Sequence, residues 1–263
     1  MALRALGHTG IEISPIVLGS VKFGRNTGVK YPRPFDLPTD AEIRDLLALA
    51  RELGINAIDT APAYGVAEQR LGALLETPAD WVLISKVGEA FDGKNSCFDF
   101  SANATRDSVE RSLRRLGRET IDIVLVHSNG DDLAIARDEP VLETLATLKR
   151  EGAIRAIGMS TKTVAGALWC AEHCDVVMLT LNPGHTVELP AIDACNANGC
   201  GVLVKKGFAS GHLADRPDGA KQAIEFVLGT PGVHALVVGT INPAHLRANV
   251  AAANSLVPTD LKM

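Results

Sequence analysis

The sequence predicts an α/β fold, a (β/α)8 TIM barrel forming one domain over residues 1–263, with a short N-terminal β-hairpin covering the barrel floor. Three observations predict it. Eight short apolar runs recur along the chain, nearly continuous rather than alternating, as strands of a parallel sheet buried on both faces are. Helical patterns lie between them, which gives the alternation of a barrel. An open doubly wound sheet would carry a G-x-G-x-x-G turn after an early strand, and this sequence has none.

The elements follow in order. "LRALGHTGIEIS" reads as the hairpin, with His8-Thr9-Gly10 at its turn. The strands are Ile16–Gly19, Asn56–Asp59, Trp81–Lys86, Ile121–His127, Ile154–Ser160, Val176–Leu181, Gly201–Lys206 and Ala235–Thr240. "DAEIRDLLALARELG" places apolar residues on one helical face and ends at Gly54, a residue suited to a helix C-terminus. "RDSVERSLRRLG" and "EPVLETLATLKREG" repeat the device at Gly117 and Gly152. "DGAKQAIEFVLGT" and "NPAHLRANVAAANSL" supply the last two helices. The longest irregular stretch, "GRNTGVKYPRPFDLPTD", follows the first strand and so belongs at the C-terminal mouth, where sites of this fold are built.

Composition narrows the function. With 46% hydrophobic residues the chain can bury a large core, and 26 basic against 31 acidic residues give a net charge of -5. Such a balance offers no positive field for phosphates, so neither nucleic acid nor an acidic membrane is expected as partner. No apolar run reaches the roughly 18 residues of a membrane span. "MALRALGHTG" lacks the apolar region of an export signal, and a cytoplasmic protein is expected. The odd count of five cysteines then reads as free thiols. The Cys170/Cys174 and Cys195/Cys200 spacings do not match zinc pairs, and no metal is expected.

In a barrel the C-terminal strand ends converge on one pocket. Asp59, Lys86 and His127 end the second, third and fourth strands, and Tyr64 lies on the loop after the second. Singly, each has an ordinary reading: a cap, a solvated strand end, a core histidine, a packed ring. Three successive strands each ending in one ionisable group after apolar runs argue for a shared site. A nearby ammonium is expected to lower the tyrosine pKa, and the carboxylate to keep the lysine charged. The histidine can bond a substrate oxygen and fix its direction. The set suits proton donation to a developing alkoxide, half of a carbonyl reduction.

These residues also carry a family resemblance. "GINAIDTAPAYGVAEQRLG", "ISKVG", "DIVLVHSNGDD", "GHTGIEISPIVLGSVKFG" and "GTINPAHLRANVAA" resemble motifs of the aldo-keto reductases, NAD(P)(H)-dependent oxidoreductases on a (β/α)8 barrel. The resemblance implies that Tyr64 is the general acid, tuned by Lys86 and Asp59, and that His127 orients the carbonyl. It implies cofactor contacts at Ser160 and Thr161, with Ser160 holding the nicotinamide carboxamide. It also implies contacts at Gly239, Thr240, Ile241 and Asn242 along the adenosine phosphate, and at Asn249 near the adenine. The helix starting at Pro243 suits an anion there. NADP(H) is favoured over NAD(H), with His245 and Arg247 the nearest basic candidates for a 2′-phosphate.

Four residues depart from the family pattern. Thr161 stands for an asparagine, Met178 for a glutamine, and Lys205-Lys206 for an aromatic and its neighbour. Lys205 is expected at the pyrophosphate or a substrate carboxylate. The close of the chain at "SLVPTDLKM" implies an open pocket. The expected partner is a small carbonyl, alcohol or sugar. The alternatives are a cofactor-binding redox-sensing regulatory subunit with little turnover, and an aldolase-type lyase using Lys86, Lys205 or Lys206.

Overall fold

A computed structural model describes residues 1–213 and 218–256. The chain opens with a hairpin of β1 (Arg4–Ala5) and β2 (Glu12–Ile13), followed by β3 (Ile16–Gly19), the single turn α1 (Val21–Gly24) and α2 (Asp40–Glu52). Next come β4 (Ala57–Asp59), α3 (Ala67–Leu74), β5 (Val82–Val87), a second hairpin of β6 (Glu89–Phe91) and β7 (Ser96–Phe98), and α4 (Ala102–Leu116). The middle of the chain supplies β8 (Ile121–His127), α5 (Asp132–Asp138), α6 (Val141–Arg150), β9 (Ile154–Ser160), α7 (Val164–His173) and β10 (Val176–Thr180). It closes with α8 (Leu189–Asn198), β11 (Gly201–Lys205), α9 (Gly219–Gly229), β12 (Ala235–Val238) and α10 (Pro243–Asn254).

The expected barrel is present. Strands β3, β4, β5, β8, β9, β10, β11 and β12 form a closed parallel ring, in which β12 pairs with β3 (Val237 beside Val17) to seal it. The apolar runs divide by direction, as successive strand residues must. Val17, Ala57, Ile84, Ile123, Leu125, Ala156, Val176, Met178, Leu203 and Ala235 fill the interior. Their neighbours, such as Ile16, Leu18, Val124 and Val126, pack outward on the helices.

The hairpin lies on the floor as expected. Leu6, Ile11 and Ile13 join the interior cluster, His8 N–H donates to the Gly199 carbonyl (2.8 Å), and Arg4 Nη1 to the Val233 carbonyl (3.0 Å). Helix ends follow the sequence. Thr39 and Glu42 form a reciprocal capping box on α2, Ser101 caps α4, and Gly117 closes α4 in the left-handed region.

Some strand ends differ from expectation. Asn56 lies outside β4, its N–H donating to Ser14 Oγ (3.2 Å) instead of to a neighbouring strand. Lys206 lies outside β11, with φ 56° turning the chain away from the sheet. The hairpin β6–β7 was not anticipated. The terminal stretch on which the open-pocket expectation rests lies, from residue 257, outside the described residues. Within them, the irregular segment after α1 crosses one side of the mouth, with Tyr31 and Pro32 beside Gly211. No helix among the described residues is long and apolar enough to cross a membrane. The five cysteines are free thiols.

Candidate active site

Asp59 and His127 are the last residues of β4 and β8, and Lys86 is the last but one of β5. All three therefore stand at the C-terminal rim. Tyr64 is delivered by a tight turn, Pro62–Tyr64, in which Pro62 presets the first position and Tyr64 N–H donates to the Ala61 carbonyl (2.9 Å). Gly65 follows with φ 63°, and a Cβ there would lie 2.2 Å from the Gly24 carbonyl oxygen. Only glycine allows this turn and this approach, which lock the loop carrying Tyr64 against α1. Arg25 adds a bond from Nη1 to the Ala63 carbonyl (3.0 Å).

The four residues meet. Lys86 Nζ donates to Asp59 Oδ1 (2.5 Å) and to the Thr60 carbonyl (2.9 Å). The Tyr64 hydroxyl is 3.5 Å from Asp59 Oδ2, and Lys86 Nζ is 4.9 Å from the Tyr64 ring centroid. The His127 ring stands edge-on to Tyr64, 6.2 Å between centroids. Asp59 and Lys86 are buried, whereas Tyr64 and His127 are partly open to the mouth.

The expected fall in the tyrosine pKa is corrected. Burial, followed by the charge of Asp59 and weaker effects of Tyr31 and Glu89, holds the Tyr64 phenol well above its ordinary value. The physical reason is that burial disfavours the charged phenolate and the nearby Asp59 carboxylate repels it. Tyr64 is thus held in its protonated form.

Two side chains here escaped the sequence reading. Glu89, on β6, brings Oε2 to 2.8 Å from His127 Nδ1, out of line for an ideal hydrogen bond. Burial pushes Glu89 up, but His127, Ser96 and Arg25 outweigh it and hold the carboxyl at about 2. Burial lowers the His127 pKa, Glu89 opposes, and Lys86 and Lys205 lower it further. Tyr31, pushed up to about 12 by burial and by Asp59, lies between the acid and Gly239. Its hydroxyl is 2.9 Å from where a Gly239 Cβ would be, and Lys22 Nζ sits 4.3 Å above its ring.

The expected cofactor residues lie on the next strands round the mouth and after β12. Ser160 ends β9 directly beside His127 in the sheet register. Lys205 Nζ donates to Ser160 Oγ (2.7 Å) and to the Thr161 carbonyl (2.6 Å). Burial, then Lys206, lowers Lys205 to about 7. Thr161 is fully buried, its N–H engaged by the Met178 carbonyl (3.0 Å), so its hydroxyl is turned to the sheet and not to the mouth. Lys206 is exposed and close enough to Lys30 and Lys162 to feel their charge. Beyond β12, Gly239, Thr240 and Ile241 lead into Asn242, whose side chain caps α10 through Ala244 N–H (2.9 Å) and His245 N–H (3.4 Å). His245 is exposed, Asn249 is buried, and Arg247 Nη1 pairs with Glu52 at 3.6 Å.

These groups fit a dinucleotide. Ser20 Oγ and Glu188 Oε2 are buried around the mouth without a partner. Two ammonium groups, the first turn of a 12-residue helix, and a glycine with no side chain complete a surface for amide and phosphate groups.

Comparison with known proteins agrees with this geometry. Residues 15–222 match the model of the aldo/keto reductase family. A solved aldo-keto-reductase-type chain from Pseudomonas aeruginosa is 53% identical, covering 96% of this chain and 94% of its own, with a TM-score of 0.88. L-galactose dehydrogenase of Arabidopsis thaliana is 27% identical over 97% of this chain and 88% of its own length. D-threo-aldose 1-dehydrogenase of a Pseudomonas species is 28% identical over 85% and 86%.

Proposed function

The chain belongs to the aldo/keto reductase family, and from that premise we propose that it is an NAD(P)(H)-dependent oxidoreductase interconverting an aldehyde or ketone and its alcohol or sugar, with Tyr64 as general acid and base. One observation carries the reading. The Tyr64 hydroxyl, the Asp59–Lys86 pair and the His127 ring, from four different segments, converge within hydrogen-bond or ring-contact distance at the barrel mouth.

Tyr64 holds its proton at neutral pH because burial and Asp59 disfavour the phenolate. It gives that proton as negative charge develops on the substrate oxygen. The Lys86 ammonium, 4.9 Å from the ring centroid, then faces the nascent phenolate and stabilises it. His127, partly open to the mouth beside Tyr64, orients the same oxygen. In the oxidative direction Tyr64 must first lose its proton, and the phenolate then takes the proton of the alcohol.

When bound, the nicotinamide supplies or accepts the hydride. Ser160 and Lys205 are the side chains for its amide, Gly239, Thr240, Ile241 and Asn242 for the phosphates, and Asn249 for the adenine. Lys206 and His245 are the exposed basic groups for a 2′-phosphate, in line with NADP(H). The sugar dehydrogenases among the relatives support a hydroxylated substrate.

The test is NADPH oxidation with a reactive aromatic aldehyde, and NADP⁺ reduction with aldoses, for wild type and Tyr64→Phe. The variant is expected to lose about 10²–10⁴ in kcat while still binding the dinucleotide. Repetition with NADH and NAD⁺ decides the cofactor. Equal turnover by wild type and Tyr64→Phe removes the proton-donor role.

A further inference from the structure

Glu89 reaches the site from outside the barrel sheet. It belongs to β6, in a hairpin inserted between β5 and α4. Its carboxylate is anchored independently of the catalytic residues: the Ser96 hydroxyl donates to Oε1 (2.5 Å), and Arg25 Nη1 lies 3.7 Å away. Arg25 is itself fixed over the Phe91 ring, 3.5 Å from the centroid, and bonded to the Thr27 and Gly28 carbonyls (3.0 and 3.1 Å). The Glu89 side chain is 12% exposed and that of His127 19%, so the 2.8 Å approach of Oε2 to Nδ1 is shielded. The hairpin thus holds a fixed carboxylate against one nitrogen of the ring.

We infer that Glu89 is a positioning residue that keeps the His127 proton on Nδ1 and leaves Nε2 to meet the substrate oxygen. The inference rests on the reductase reading above for the identity of that oxygen. An ionised carboxylate only accepts hydrogen bonds, so Glu89 Oε2, 2.8 Å from Nδ1 though off the line of its N–H, favours the proton on that nitrogen. The neutral ring then has its lone pair at Nε2 and offers no donor there. The charged ring donates at Nε2, which suits a carbonyl oxygen. The alcohol O–H is left to Tyr64.

The balance between the two states is set by groups from several elements. Burial, Lys86 on β5 and Lys205 on β11 disfavour the charged ring, and Glu89 on β6 favours it. The Tyr64 ring contributes an edge-on contact. Removing the Glu89 charge therefore shifts the ring toward its neutral, accepting form. Carbonyl reduction weakens more than alcohol oxidation.

The experiment is ¹⁵N–¹H correlation spectroscopy of the imidazole rings of the full chain across pH, with His127 assigned through His127→Gln. Wild type is compared with Glu89→Gln, which keeps an acceptor oxygen, and Glu89→Leu, which does not. The wild-type neutral ring is expected with its proton on Nδ1. Glu89→Gln is expected to move the His127 titration to lower pH, and Glu89→Leu also to abolish the Nδ1–H preference. Ser96→Ala, which loosens the carboxylate without removing it, should shift the titration in the same direction and by less. It serves if the Glu89 variants fail to fold. In turnover, Glu89→Gln should lower kcat/KM for carbonyl reduction at neutral pH at least about tenfold and alcohol oxidation at alkaline pH by much less. An unchanged tautomer and titration in the folded variants overturns the inference and leaves the reductase reading standing. Absence of turnover by wild type overturns the reductase reading, while the ring spectra still decide what Glu89 does.

Discussion

Lys86→Met would leave Asp59 as a buried carboxylate stripped of its ammonium. Lys86 Nζ and Asp59 Oδ1 are 2.5 Å apart, and the two side chains are only 2% and 5% exposed, so water cannot take the lysine's place. Exposed ion pairs contribute about 0–1 kcal/mol, but breaking a buried pair costs about 3–5 kcal/mol because the remaining charge is uncompensated. The nearest other donor to Asp59, the Tyr64 hydroxyl, is 3.5 Å away and supplies a weak substitute. For a chain of this size each kcal/mol moves the melting temperature by about 2–4 °C, so Lys86→Met should melt about 6–20 °C lower.

The assay is urea and thermal unfolding of wild type, Lys86→Met, Asp59→Asn and the double variant. Replacing both groups removes the buried charge altogether, so the double variant should be less unstable than the sum of the single ones by about 0.5–3 kcal/mol. Lowering the pH should narrow the deficit of Lys86→Met, since a proton can neutralise the orphaned carboxylate. A Lys86→Met protein within about 1 kcal/mol of wild type, or strict additivity in the double variant, refutes the reasoning. Either result would mean that water reaches the pair.

Two further outcomes follow from the same structure. Lys205 is lowered to about 7 from the 10.5 of an ordinary lysine, so the unfolded chain binds the extra proton between those values. Wild-type stability should therefore fall as pH drops from about 10 to about 7, and Lys205→Met should be more stable than wild type at neutral pH, an advantage in urea midpoint that closes toward alkaline pH. Gly65→Ala places a Cβ 2.2 Å from the Gly24 carbonyl oxygen at φ 63°. It should cost about 1–3 kcal/mol, and it should lower kcat because the turn that presents Tyr64 must move, whereas an unchanged kcat would show that the turn tolerates the shift.

The barrel was legible because its strands are buried on both faces and so consist of nearly continuous apolar runs. An ionisable residue at the C-terminal end of each of three successive runs marks the rim, which is how Asp59, Lys86 and His127 could be found together. Glu89 was not found, since its importance comes from a hairpin folding back on β8 some 38 positions later in sequence than the carboxylate itself. A signal was present: Asp92-Gly93, a turn pair, lies between "EAF" and "SCF", and Asp92 Oδ1 indeed accepts from Lys94 and Asn95 N–H (both 2.7 Å) while Gly93 has φ 101°. Tyr31 was illegible for another reason. It sits in an irregular stretch without periodicity, and only tertiary contact with Gly239 and Gly211 gives it a place. The direction of the Tyr64 pKa shift was misjudged because the burial of its hydroxyl beside Asp59 depends on tertiary packing that spacing does not encode.

The floor hairpin has a consequence for how the molecule is made. Arg4 and Val233 are bonded across 229 positions, and the β3–β12 seam joins the same two ends of the chain. On a ribosome adding about 5–20 residues per second, Leu6, Ile11, Ile13 and Val17 emerge roughly 10–50 s before the strands that will cover them. A nascent chain therefore carries an uncovered apolar front until β12 leaves the tunnel, and that strand is the one that allows β3 to be buried.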